Sequence, residues 1–166
     1  LEQKLDENST LTFLYDYLSY DNENDATYDE TRIENGTNTV LSFISEAQTD
    51  VEFHVARVDL NTEVNEKVKL ALGAKATISR FTNDVAVLDM SSEMPIQNDT
   101  LSAIRNLNED IWAGYGNLDF QLSEKTSINV GLRYEYTDSN LATRGETDEI
   151  VLNRGQFFPN FRISHG

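Results

Sequence analysis

The chain of 166 residues contains no cysteine. That excludes a disulfide framework, a thiolate metal centre and a cysteine nucleophile. It also lacks any uninterrupted apolar run near the ~20 residues that a membrane helix requires, so a helical span is excluded. A span built from strands is not, because its apolar residues are spread over alternate positions. Positive charge is scarce: 13 Lys and Arg stand against 29 Asp and Glu, for a net charge of −16. Such a field repels polyanions, which removes nucleic acid and anionic membrane surfaces as partners. The only histidines, His54 and His165, lie far apart and outside any metal-binding spacing. There is no G-x-S-x-G nucleophile motif. The chain opens Leu-Glu-Gln-Lys without Met or signal peptide and closes on Ser-His-Gly within a predicted strand. Residues 1–166 are therefore expected to be a single segment cut from a longer protein.

What the chain has is alternation. Between Leu107 and Thr137, two runs flank Ser123-Glu124-Lys125. Trp112, Gly114, Gly116, Leu118, Phe120 and Leu122 share one parity, opposite Ala113, Tyr115, Asn117, Asp119 and Gln121. Ile128, Val130, Leu132, Tyr134 and Tyr136 then alternate with Asn129, Gly131, Arg133 and Glu135. A period of two places successive side chains on opposite sheet faces, and a short polar break between such runs predicts a hairpin. Val68, Leu70, Leu72, Ala74, Ala76 and Ile78 form the clearest face of all, opposite Lys69, Lys75 and Thr77. Eleven residues rise roughly 36 Å, or about 25 Å at a ~45° tilt, which matches the apolar band of a membrane barrel.

Further strands are predicted over Leu11–Tyr20, near Thr39–Phe43, over Val51–Thr62, and from about Gln156 through Phe161 and Ile163. Asp21–Asp25 (DNEND) and Asn35-Gly36 read as turns. In the third run the apolar parity moves from Val51, Phe53 and Val55 to Ala56, Val58 and Leu60, predicting a bulge or a change of environment. Two connections, 61–66 and 123–125, are short; two, 83–105 and 138–154, are long. Successive connections of an antiparallel meander alternate between its ends, so the short ones share one end and the long ones the other. Residues 21–34, 83–105 and 138–154 together hold 14 acidic and 4 basic residues, so −10 of the −16 sits in the least strand-like segments.

Candidate reactive groups do not converge. Asp21, Glu23 and Asp25 begin like a calcium loop, but the sixth and twelfth positions are Ala26 and Arg32 rather than Gly and Glu, which favours a solvated acidic turn. Gly114-Tyr115-Gly116 sits mid-strand without a following helix, so it reads as a bend or close packing rather than a phosphate loop. Asp110 and Asp119 are the kind of acid pair a glycosidase uses, with a separation that sequence does not fix. Sequons at Asn8, Asn35 and Asn98 are the chance product of Asn- and Thr-rich loops. No enzyme activity, catalytic residue, cofactor or metal site is assigned, and no residue is nominated as a ligand contact. Trp112, Tyr115, Tyr134 and Tyr136 are read as an aromatic girdle at a membrane surface.

Taken in order, VEFHVARVDLNTEVNEKV (51–68), LALGAKATISR (70–80), EDIWAGY (109–115), GLRYEYT (131–137) and FFPNFRIS (157–164) resemble the middle of the β-barrel of TonB-dependent outer-membrane receptors. The branch with a carboxypeptidase-regulatory-like N-terminal domain is the most similar. The resemblance implies an all-β, antiparallel up-and-down meander of about six or seven long strands, forming a partial transmembrane β-barrel in the outer membrane of a Gram-negative bacterium. It implies a wall that surrounds a plug domain and works with the TonB system to import a siderophore, vitamin, peptide or glycan. The parity of Val68, Leu70, Leu72, Trp112, Leu118 and Phe120 would face lipid. Lys67, Lys69, Lys75, Asn117, Asp119, Gln121, Arg133 and Glu135 would face the lumen. An isolated slice of this kind is expected to dimerise or bind detergent through its open edges and long apolar face. The alternatives are a soluble β-sandwich or lipocalin-like ligand-binding module with shorter strands around a core, and a non-transporting adhesion or scaffold barrel.

Overall fold

The computed structural model describes residues 1–34, 36–145 and 147–166. They form one antiparallel sheet of β1 (Glu2–Lys4), β2 (Ser9–Glu34), β3 (Thr37–Asn65), β4 (Val68–Asp89), β5 (Ile96–Gln97), β6 (Ala103–Ser123), β7 (Thr126–Thr143) and β8 (Ile150–His165). The spatial order is β1-β2-β3-β4-β6-β7-β8, with the short β5 pairing on β4 above the end of β6. Among the described residues β8 pairs only with β7, so the meander is open at both edges.

The strands are longer than the sequence suggests. Asp21–Asp25 is not a turn: β2 runs on for 26 residues, pairing Asp21 with Asp50 and Asp25 with Glu46. Turn propensity is a weak preference, and an unbroken ladder with β3 satisfies the backbone groups of that segment that face it. β-Formers also resume just beyond, at Thr27, Tyr28, Thr31 and Ile33. For the same reason the two runs expected near Thr39–Phe43 and Val51–Thr62 are one strand, β3, of 29 residues. The connections expected over 83–105 and 138–154 shrink to 90–102 and 144–149 as β4, β6, β7 and β8 extend into them. Of the predicted Asn35-Gly36 turn, Asn35 lies outside the described residues; Gly36 has φ +79°, the left-handed backbone that glycine adopts without strain.

The expected asymmetry of ends holds. Leu5–Asn8, Glu66-Lys67 and Glu124-Lys125 turn at one end, while the β2–β3 tip, residues 90–102 and residues 144–149 lie at the other. Lys67, expected on the lumen wall, belongs to the Glu66-Lys67 turn instead. Short side-chain bonds close both kinds of connection. The Asn8 N–H and Ser9 side chain hold the Asp6 carboxyl below the usual aspartate range. The Ser91 hydroxyl and N–H do the same for Asp89.

The sheet has no enclosed core. Among the described residues only Ala113 and Gly131 are buried. A sandwich or small ligand-binding barrel would bury one face of every strand, so the soluble-module alternative does not fit this architecture.

Candidate functional site

The working surfaces of this molecule are the two faces of its wall, and the register assigns each residue to one of them. Direct partners across the strands put Val68, Phe120, Ile128 and Ile163 in one row, then Leu70, Leu118, Val130 and Phe161. The rows above are Leu11, Leu60, Leu72 and Leu132, then Phe13, Val58, Ala74 and Tyr134, then Tyr15, Ala56, Ala76, Trp112 and Tyr136. This Val68 face is apolar over the whole span from Val68 to Ala76. Its polar pair, Ser9 and Thr62, is self-satisfied, with hydroxyls 2.9 Å apart.

The opposite face, that of Lys69, is a polar network over the same height. Lys69 Nζ pairs with Glu63 at 2.6 Å, and Asn129 Nδ2 donates to Asp119 Oδ1 at 2.8 Å. Arg57 Nε lies 2.7 Å from Asp59 Oδ2. The Tyr115 hydroxyl reaches across β4 to donate to Asp59 Oδ1. That reach passes over Gly73, where a Cβ would collide with the Tyr115 ring. The Arg133 guanidinium stands 5.2 Å above the same ring while its Nε pairs with Glu135. Asn160 donates to Asn117 over Gly131, whose missing side chain makes room for both carboxamides.

Near the level of Ile78 the two faces exchange character. The Val68 face turns polar with Asp110 and Asp138 beside Ile78, then Glu52, Arg80, Asn108 and Asn140, then Asp21 and Asp50. The Lys69 face turns apolar in a row of Tyr20, Val51, Phe81, Leu107, Leu141 and Ile150. This exchange explains the parity shift within Val51–Leu60. It is a change of environment and not a bulge, since the only register shift between β3 and β4 falls at Glu63/Asn65.

The aromatic girdle is corrected in one member. Trp112, Tyr134 and Tyr136 stand on the Val68 face at the top of its apolar band, joined by Tyr15 and Phe13. Tyr115 points to the other face, because odd and even positions of one strand cannot share a side. Sequence reasoning missed Tyr15, Tyr17 and His54 as a boundary cluster: the Tyr15 hydroxyl and His54 Nδ1 are 2.7 Å apart, and Tyr17 lies 4.8 Å from the His54 ring. The signal was the aromatic run Phe13, Tyr15, Tyr17, but its partner His54 is 39 residues from Tyr15.

The candidate reactive pairs do not assemble. Asp110 pairs with Arg80 at 2.6 Å on one face and Asp119 points to the other, so they form no acid–base couple. His54 sits in the upper half, and His165 meets Thr126 at the short-turn end, 2.9 Å from its hydroxyl. Asp21, Glu23 and Asp25 lie on a paired strand rather than in a calcium loop. No group of three or more metal-ligating side chains occurs among the described residues.

Comparison with known proteins accords with this wall. Residues 3–166 match the model of the outer membrane protein beta-barrel family. No curated protein sequence matches the chain significantly. Among solved structures, it resembles the ferric-catecholate import receptor Fiu of E. coli K12 (TM-score 0.55, 10% identity, 98% of this chain and 30% of that one). It likewise resembles the ferric preacinetobactin receptor BauA of Acinetobacter baumannii (TM-score 0.53, 15% identity, 98% and 26%). The ferric yersiniabactin uptake receptor FyuA of Yersinia pestis is similar at TM-score 0.50 and 12% identity, with 98% and 23% covered. The chain thus spans about a quarter of the length of these receptors, and at such identities the likeness is one of fold. The chain belongs to the outer membrane protein β-barrel family and resides in the outer membrane of a Gram-negative bacterium.

Proposed function

We propose that residues 1–166 are one segment of the barrel wall of a TonB-dependent import receptor. The Val68 face lies against lipid and the Lys69 face toward the lumen, where a plug domain from another part of the receptor sits. The short turns face the periplasm and the acidic upper ends of the strands face the medium, where a siderophore, vitamin, peptide or glycan first meets the protein. The segment carries no catalysis; it supplies wall and outer loops. The observation that carries this reading is the register itself. It stacks an apolar band of the height a bilayer needs directly behind a network of paired charges.

Orientation is testable by cysteine labelling, since the segment has no cysteine of its own. A membrane-impermeant maleimide should label Asn98→Cys, between β5 and β6, on intact cells. It should label Glu124→Cys only after the outer membrane is permeabilised. The reverse pattern would overturn the orientation. Labelling of both on intact cells would overturn the spanning wall.

A further inference from the structure

We infer that the upper part of the Val68 face holds a seat for one acyl chain of an outer-leaflet membrane lipid; this rests on the lipid-facing reading above. The face is not smooth there. Ala56, Ala74, Ala76 and Gly114 form the floor of a trough of about 350 Å³. Phe13 walls it on β2 and Tyr134 and Tyr136 on β7, with Trp112 beside them. Arg57 and Lys75 also border it, but the register places their side chains on the opposite face, where they line a polar groove with Asp59 and Tyr115.

Gly114 distinguishes this trough from ordinary surface roughness. Glycine inside a strand weakens it and commonly marks a bulge, a bend or the close approach of a ligand or another backbone. No bulge exists here, since β6 runs in unbroken register with β4 and, beside Gly114, with β7. Gly114 is also not among the residues with positive φ. Gly73, Gly131 and Gly155 are each covered by a neighbouring side chain that a Cβ would strike, whereas a Cβ on Gly114 would meet nothing within 4 Å. The fold therefore tolerates a side chain at 114, and what its absence supplies is open space.

Position selects the occupant. The trough is continuous below with Leu60, Leu72 and Leu132 of the lipid-facing band and is bounded above by Tyr17, His54 and Asp110. An acyl chain already lying against the band enters it without leaving apolar surroundings and needs no polar partner. A second copy of the chain would have to pass side chains between Phe13, Trp112, Tyr134 and Tyr136, which stand out from the surface at 48%, 54%, 40% and 40% exposure.

The test uses the full-length natural protein in bilayers containing acyl-brominated lipid. The fluorescence difference from its Trp112→Phe variant reports Trp112 alone. Trp112 should be quenched, and filling the floor with Gly114→Leu, or independently with Ala74→Leu, should reduce that quenching by about half or more while the emission maximum stays put. Equal quenching in the filled variants and the parent would overturn the seat and leave the lipid face standing. So would disulfide-linked dimers of Gly114→Cys, which would give the trough to a second copy. A Leu72→Trp probe separates the two readings. If it is quenched and Trp112 is not, the seat fails alone; if neither is quenched, the lipid-facing reading fails with it.

Discussion

Gly131 and Gly114 sit on neighbouring strands of one wall and have opposite reasons to be glycine. At Gly131 a methyl group would collide with the Asn117 and Asn160 carboxamides, on the face that carries the polar network. Gly131→Ala is expected to destabilise the barrel by about 1–3 kcal/mol, the usual range for overpacking. At Gly114 the same substitution meets open space. It should be neutral or stabilising by roughly 0.5–1 kcal/mol, because alanine loses less backbone freedom in a strand. Denaturant titration of the two variants in the same detergent checks the contrast, and equal effects would contradict it. Sequence could locate both glycines in strands but could not separate them. The difference depends on cross-strand neighbours, and Asn160 lies 43 residues from Asn117.

At the scale of the element, the β2–β3 arm shows most clearly what was legible and what was not. The alternation of Val68–Ile78 identified its strand and its apolar face, because there one face is apolar and the other charged. Above that level the two faces exchange character, and alternation no longer marks a strand. DNEND then looks like a turn although it lies inside a ladder. The upper arm is assembled against electrostatic resistance: Asp21 faces Asp50 and Asp25 faces Glu46 as direct cross-strand partners. Like charges placed directly opposite are destabilising by roughly 0.2–1 kcal/mol per pair. Asp50→Asn and Glu46→Gln should therefore slow amide hydrogen exchange across residues 19–27, and added salt should shrink the gain by screening the exposed charges. No change in protection at low salt would show that the arm is not limited by this repulsion.

As a whole, the molecule is a wall without an interior. With only Ala113 and Gly131 buried among the described residues, its stability must come from the ladder and from whatever covers its faces and edges. Large apolar side chains such as Phe157, Phe161 and Ile163 on β8 are 67%, 68% and 61% exposed, on a strand whose outer edge is unpaired. The isolated 166 residues should consequently dimerise or take up detergent. Sedimentation of a monodisperse, detergent-free monomer at high concentration would contradict that expectation. From Val68 onward the order of the long strands and the sorting of short and long connections to opposite ends were readable from the chain, since both follow from counting alternations; over residues 9–65 the count failed. The exchange of polarity between the faces was visible only as an ambiguous parity shift in Val51–Leu60. It took the register to show one surface passing from apolar to polar. The most direct measurement is a nitroxide scan from Lys69 to Arg80 in bilayers, with relaxation by oxygen and by a water-soluble nickel chelate. Positions 70, 72, 74, 76 and 78 should favour oxygen, and positions 69, 71, 75 and 77 the nickel chelate, with the oxygen preference ending at Arg80; Gly73, where a Cβ would strike Tyr115, is left unlabelled. The opposite phase, or no alternation, would contradict a wall with lipid on its Val68 face.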